Sequence, residues 1–481
     1  MKAQSAAKDG KPHKRKAATP TFPRTDAGNA ELFAFRNQHT LRFDHKRKLW
    51  LVWRQHWWEP DSEEFVYLLA KRTARWRLRK SADIEDVDKR RKEAGWAIQS
   101  ESRQKLEAML RLAQCEWPLS DPGEKWDLDP WLLGVRNGVI NLRTGKLRAG
   151  QPDDRITKHA PVRFDPNARC PLWEQFLRQV FFDNTELIEW IQRALGYSLT
   201  GSTREECLFM LEGPGRNGKG TFIGTFMKVL GDDYAGTADF STFVHTKAES
   251  SRPRDDVAHM QGKRFFSSQE PSERVRLQEN LIKWLTGGDR IRARKLYVNS
   301  SEFDPTHKIW LAVNHKPRIT GTEVAIWSRI RLIPFHASFD GERADKKLKE
   351  KLPEDLPGIL AWAVRGCLAW QVNRNGLGDA PKVVKEATEC YRTESDPLRD
   401  FLNDRCKVRS GANAPAGELW AAYLQWADEA KEEVPLDSQR AFAEALAQKG
   451  FRQDRLGHER TRVWVGLRLK AAYSQPPCVM E

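Results

Sequence analysis

The sequence has no run of about 18 apolar residues, so no stretch reads as a membrane-spanning helix. Cysteine is sparse: seven residues in 481, at positions 115, 170, 207, 367, 390, 406 and 478. None forms a C-x-x-C or stands at ligand spacing from a histidine, which excludes a zinc finger or ribbon. Such an odd, scattered set argues against a disulfide framework and suits reduced thiols in cytoplasm. The opening MKAQSAAKDGKPHKRKAATP lacks the apolar stretch of a secretory signal and reads as a flexible basic tail. Internal repeats are missing too. What the chain has in excess is positive charge, 81 Lys and Arg against 66 Asp and Glu, a formal net of +15. That balance suits a polyanion partner, because each phosphate contact releases counterions. Charge alone does not separate DNA, RNA and an acidic membrane.

At 481 residues the chain is long enough for two or three domains. Residues 1–30 are expected as a tail. Residues 31–200 are expected as a mostly helical N-terminal region, with a small hairpin around Leu41-Arg42-Phe43 and Leu49-Trp50-Leu51-Val52-Trp53. The charge run from Lys89 to Lys92 reads as a solvated helix face. Asn137-Gly138 between apolar residues signals a tight turn, and Arg143-Thr144-Gly145-Lys146 a second. Pro171 to Gly201 has helical spacing. From residue 201 to 375 short apolar strands alternate with helices, the signature of an α/β core. Residues 390–470 carry three amphipathic stretches and then a strand-like Arg462 to Leu469, which fits a winged-helix module. Residues 471–481 are expected as a second tail.

The chemistry starts at Leu208-Phe209-Met210-Leu211, an apolar run that feeds into Gly213-Pro214-Gly215-Arg216-Asn217-Gly218-Lys219-Gly220-Thr221 and then a helical pattern. A G-x-x-x-x-G-K between strand and helix is a P-loop. Its glycines let backbone N–H groups turn around phosphates, the helix N-terminus adds partial positive charge, and Lys219 reaches the β- and γ-phosphates. The position after the lysine usually carries the hydroxyl that binds Mg²⁺. Here it is Gly220, with the hydroxyl one place later on Thr221. Either Thr221 serves the metal or water replaces that ligand.

Three further elements follow in order. Gly262 to Gln269 reads as a strand ending in Glu270, a carboxylate that could hold Mg²⁺ through water and polarise the attacking water. His307 to Val313 is a strand ending in Asn314, whose amide could orient the lytic water or sense the γ-phosphate. Ile326 to Phe335 sets Arg329 and Arg331 in an apolar stretch, where an arginine could reach a neighbouring subunit's phosphates or, at Arg331, make an edge-strand salt bridge. Between the acid and the Asn314 strand, Asp289 to Asp304 interleaves Ile291, Ala293 and Leu296 with Arg292, Arg294 and Lys295. That reads as a basic hairpin suited to sequence-blind backbone contacts with nucleic acid.

The series GPGRNGKGT, GKRFFSSQEP, LIKWLTGGDRIRARKLY, FDPTHKIWLAVNHKPRI and AIWSRIRLIPF resembles the superfamily-three helicases, in particular the phage and plasmid primase-helicase branch with its satellite-phage and poxvirus relatives. The block NGVINLRTGKLR and the helices ending IQRALGYSLTG fit as well. The resemblance implies an AAA+-like ATPase that uses ATP and Mg²⁺ and assembles as a homo-hexamer around single-stranded or forked DNA. It would be encoded by a phage, plasmid or integrated element and act in the bacterial cytoplasm. Gly213 to Thr221 would be Walker A, Glu270 Walker B, Asn314 the sensor and Arg329 the arginine finger, with Thr221 and Glu270 at the metal. Where the family often carries paired arginines, this chain has Ser328-Arg329. The hairpin with Arg292, Arg294 and Lys295 would line the ring's channel. Larger relatives join the motor to a primase-polymerase domain, and with few residues ahead of the helicase block any primase is expected as a separate protein. A nucleotide kinase, or an origin-binding scaffold with a defective P-loop, would use the same loop without unwinding.

Overall fold

A computed structural model describes residues 21–245, 255–269, 275–293, 301–319, 323–340, 345–373, 375–396, 398–429, 436, 438–457, 460–471 and 473. The chain divides into two compact units, Met1–Trp126 with Pro152–Thr157, and Asp127–Gln151 with Lys158–Glu481. No helix among the described residues is long and apolar enough to cross a membrane.

The first unit opens with α1 (Asp26–Asn37), which starts within the stretch expected as tail and runs beyond it. Thr25 caps it, its hydroxyl accepting from the Gly28 N–H at 3.0 Å, which satisfies a donor the helix cannot. The expected hairpin is β1 (Leu41–Asp44) against β2 (Leu49–Trp53), extended by β3 (Trp58–Pro60). Helices α2 (Phe65–Ser81), α3 (Val87–Gln99) and α4 (Arg103–Ala113) follow, and β4 (Ser120–Asp121) joins β1 in parallel. Lys89 to Lys92 are exposed on α3, as a solvated face should be. A buried network ties three helices: Arg77 donates to Glu93 and to Asn29 (2.9 Å), and Asn29 donates to Ser100 at 2.8 Å. A buried guanidinium is tolerable only when its donors are taken.

The second unit begins with hairpins β5 (Leu132–Val135), β6 (Gly138–Asn141) and β7 (Lys146–Arg148), turning at the two places the sequence marks. Then come α5 (Pro171–Val180), α6 (Thr185–Ser198), β8 (Leu208–Glu212), α7 (Lys219–Tyr234), β9 (Ala235–Thr237), α8 (Asp255–His259), β10 (Phe265–Gln269) and α9 (Glu279–Thr286). A short hairpin of β11 (Ile291–Ala293) and β12 (Ser301–Phe303) precedes β13 (Lys308–Val313), α10 (Val324–Trp327) and β14 (Ile330–Pro334). Helices α11 (Leu348–Lys351), α12 (Leu356–Val372) and α13 (Lys382–Glu394) close the core.

Five strands form one parallel sheet in the order β14-β8-β13-β10-β9. Its period-two pattern splits the core into two layers. Phe209, Leu211, Trp310, Ala312 and Phe265 face a cluster shared with β5, β6, α5, α6, α7 and α12. Leu208, Met210, Ile309, Leu311 and Phe266 face the second layer with α9 and the β11–β12 stem. The apolar run that looked like one buried strand is apolar because both of its faces are covered. Helices α5 and α6, assigned from the sequence to the region before residue 200, share the first layer with the sheet.

The C-terminal residues form a third cluster from α14 (Arg399–Arg405), β15 (Cys406–Pro415), α15 (Ala416–Glu429), α16 (Gln439–Gln448) and β17 (Thr461–Leu469), with the exposed β16 (Arg452–Leu456) beside it. The three strands pair antiparallel in the order β15-β17-β16.

Beneath the sheet, at the starts of β10 and β13, lie three buried basic residues. Arg264 donates to the carbonyls of Leu199 (2.6 Å) and Leu132 (2.5 Å), and Lys308 to those of Thr200 and Thr306. His307 is buried, with its ring against the Leu285 backbone. Burial, then the neighbouring Lys308, pushes its pKa down to about 4. The folded state therefore binds its proton later than the unfolded chain, so this contribution is whole above pH 6.5 and is lost as pH falls toward 4. Between pH 6.5 and 5 the loss is about 1.6 kcal/mol, since the unfolded imidazole is half protonated at the upper limit and the slope reaches 1.36 kcal/mol per pH unit only below it. His307→Gln should remove that slope in denaturant melts taken across the interval. Parallel slopes in the variant and the parent would refute the assignment.

Candidate active site

The loop after β8 is shaped by close approach. A Cβ on Gly213 would lie 2.2 Å from the Phe335 carbonyl oxygen, so only glycine lets the loop press against the end of β14. Asn217 secures the same junction by donating to the Phe335 carbonyl at 3.1 Å, and the Phe335 N–H donates to Glu212 at 2.7 Å. Gly218 has φ +93°, a left-handed turn that glycine accepts at little cost, and it starts α7. The backbone thus reverses and aims the first N–H groups of a helix into the cleft.

Lys219 is buried at the base of that cleft. Its ammonium donates to the Gly213 carbonyl and to Asn314 Oδ1 at 3.0 Å. The sequence put these two residues 95 positions apart in separate motifs, and adjacent parallel strands β8 and β13 bring them into contact. The cleft encloses about 310 Å³ and is bordered by the loop from Gly215 to Thr221, with Gln269, Ala312, Asn314 and Lys349. Thr221 borders it as expected. Gly220 has open space where a Cβ would stand, so packing does not explain glycine there.

Glu270 directly follows Gln269, the last residue of β10, and lies outside the described residues, as do Arg294 and Lys295. The described stem of the basic hairpin is charge-balanced. Arg292 is exposed opposite Glu302, and Arg290 stands 3.3 Å from Asp304, while Ile291 and Phe303 anchor the stem in the core.

Arg329 is not in the cleft. Its carbonyl accepts from the Leu208 N–H at the N-terminal end of β8, whereas the cleft opens beyond Glu212 at the other end. Five strand residues separate the two, about 13 Å at ~3.3 Å per residue. The guanidinium stands 3.1 Å from Glu206 and donates to the Ala325 carbonyl. Arg331 donates to the carbonyls of Ser328 and Ile330. Two contributors were missed in the sequence. Lys349 sits in a short charged helix that reads as solvated surface, and Gln269 was passed over for the acid beside it.

Residues 30–182 match the family model described as D5 N terminal like, and residues 211–329 match a family of unknown function. The chain is also similar to viral proteins named for helicase or primase activity. Over these two stretches the chain is similar to the D5-like primase-helicases. Among its relatives is L207/L206 of Acanthamoeba polyphaga mimivirus, named as a helicase, 29% identical over 61% of the chain and 32% of the viral protein. Another is 022R of frog virus 3, also named as a helicase, 24% identical over 63% of the chain and 39% of its own length. C962R of African swine fever virus, named as a primase, is 22% identical over 62% of the chain and 33% of its own length. The chain therefore spans about a third, up to 39%, of the length of these relatives. They come from viruses of this kind rather than from the phages or plasmids the sequence suggested. The apo C-terminal region of NrS-1 aligns over 91% of the chain and 99% of its own, with 10% identity and a TM-score of 0.46. A likeness that weak adds nothing to the fold described above.

Proposed function

We propose that this chain is an ATP-dependent DNA helicase motor of the AAA+ type, working as a ring, most simply a hexamer, during replication of the element that encodes it. The observation that carries the reading is the Lys219–Asn314 contact in a glycine-walled cleft at the C-terminal edge of a parallel sheet. Lys219 would bind the β- and γ-phosphates of ATP. Asn314, already on the ammonium, would report whether a γ-phosphate has taken its place. The residues fit a Mg²⁺·ATP: backbone donors and a cation for the phosphates, and the Thr221 hydroxyl for the metal, with Glu270 next along the chain from the cleft. Bound Mg²⁺ would neutralise phosphate charge.

The remoteness of Arg329 from its own cleft supports a ring. An arginine at the opposite end of β8 would serve a neighbouring protomer's nucleotide, where an arginine finger acts, by leaving Glu206 and the Ala325 carbonyl. Arg292, with Arg294 and Lys295, would contact the DNA backbone in the channel.

The C-terminal cluster supports a winged-helix reading, with β16 and β17 as the wing. Arg455 and Arg462 are directly opposed across that ladder and both are exposed. Like charges so placed repel, an arrangement that becomes favourable when a phosphate lies between them. A separate primase or polymerase would complete the replication machinery.

The deciding experiment is ATP hydrolysis by the full chain with and without single-stranded DNA. Stimulation of about tenfold or more is expected. Hydrolysis indifferent to DNA would sink the helicase reading in favour of a nucleotide kinase, and no hydrolysis would favour an origin-binding scaffold.

A further inference from the structure

Trp117 is 85% exposed, more than any other large apolar side chain among the described residues. It stands on an arch, residues 114–120, between the end of α4 and the start of β4. A lone apolar side chain at a surface is ordinary. The surroundings of this one are not. The turn between β1 and β2 supplies His45, Lys46, Arg47 and Lys48, all exposed. We propose that Trp117 and this basic turn form a binding surface for single-stranded DNA on the first unit, with the indole as a stacking platform for an unpaired base. The choice of DNA over RNA rests on the motor reading above.

The first support is placement. The His45 ring reaches both ends of the arch, with Nε2 3.0 Å from the Gln114 carbonyl oxygen and 3.0 Å from Ser120 Oγ. The Phe43 N–H donates to the Leu119 carbonyl at 2.6 Å, and the His45 N–H to that of Asp121 at 2.9 Å. Turn and arch are thus one piece, and a strand held by the cations meets the indole at a fixed position. The second support is the way charge is turned. Asp44 and Asp121 are buried: Asp44 accepts from the Arg47 N–H at 2.8 Å, and Asp121 lies 2.6 Å from Arg155. Glu116, the acid of the arch itself, is half-buried, and exposed Glu124 is offset by Lys125 beside it. The third is strain. Lys48 has φ +56°, a left-handed conformation where tight turns ordinarily place glycine, asparagine or aspartate. Its side chain is exposed, so the fold itself gains little from a lysine there, and a phosphate outside the protein accounts for it. Cations along the phosphates and one aromatic face for any base are the means of sequence-blind single-strand binding. A duplex offers the same phosphates but keeps its bases stacked on one another, so only the cations would serve it.

The test is fluorescence anisotropy of the full chain with labelled oligothymidine of about 20 nucleotides, and with a duplex of equal length, across a salt series. Trp117→Ala should weaken single-strand binding about tenfold and leave duplex binding within about twofold. Trp117→Phe, which keeps a ring, should recover most of the loss. K46A/K48A removes two phosphate contacts, so it should lower the salt slope on single strands by about 1.4, at ~0.7 per charge, whereas Trp117→Ala should leave that slope unchanged. All three positions are exposed, so the variants should melt with the parent. Single-strand affinity equal to the parent's in Trp117→Ala would overturn the platform. So would equal weakening of single strand and duplex in that variant, or a salt slope that K46A/K48A does not move. DNA-stimulated hydrolysis by the parent chain reads the motor proposal separately, so failure of one is distinguishable from failure of the other.

Discussion

Lys219→Ala should lower ATP turnover by about a thousandfold while leaving the protein folded and its DNA affinity at the C-terminal strands largely intact. The size of the effect follows from where the ammonium sits. Lys219 is only 6% exposed and is the loop cation that the Gly213 carbonyl and the Asn314 amide hold at the base of the cleft. A charge preorganised in a water-poor cleft acts far more strongly on developing phosphate charge than the same charge in bulk water. Removing a single such group costs about a hundred- to a thousandfold in rate. The lysine's described partners include a neutral carbonyl and an amide, which lose one bond each, and the melting temperature should move little. Steady-state hydrolysis at saturating ATP checks the first part, and a thermal melt with duplex-binding isotherms the second. Turnover within tenfold of the parent protein would remove Lys219 from the chemistry.

Much of this cleft is legible in the sequence because its parts are local. Strand β8, the loop and the start of α7 are consecutive, and an apolar run followed by glycines and a lysine has few other readings. Asn314 is legible as a strand terminus, but its contact with Lys219 is not, since strand order is not written in any short window. Strand β16 was missed for the opposite reason. Its five residues are all exposed, so no alternation of polar and apolar residues marks it, and only pairing with β17 makes it a strand. Strand β15 is hidden likewise, with seven residues that are not buried among its ten. The placement of α5 and α6 escaped notice because an amphipathic helix declares that it has a buried face without naming the surface that covers it. Here that surface is the parallel sheet and α12.

Gly366→Val should destabilise the second unit by at least about 3 kcal/mol, because α6 and α12 meet backbone to backbone. A Cβ on Gly366 would fall 2.0 Å from the Gln192 carbonyl oxygen, and one on Gly196 would fall 2.1 Å from the Cys367 nitrogen. Each helix therefore presents a glycine to the other's main chain. Glycine inside a helix costs about 1 kcal/mol relative to alanine, so two at one crossing mark a place where closeness outweighs propensity. The neighbouring Gln192 amide donates to the Trp362 carbonyl at 2.9 Å, a bond that survives only at this spacing. Valine must push the helices apart, and the side chains between them, Trp190, Ile191, Ala363 and Trp370 in the first layer, cannot follow without opening voids. Gly95 in α3 is the internal contrast. A Cβ there meets nothing within 4 Å, so Gly95→Ala should gain stability by up to about 1 kcal/mol. Urea melts of the two variants should move in opposite directions from the parent. A Gly366→Val midpoint equal to the parent's would mean that α6 and α12 do not touch as described, and the layer that carries the phosphate loop would have to be redrawn.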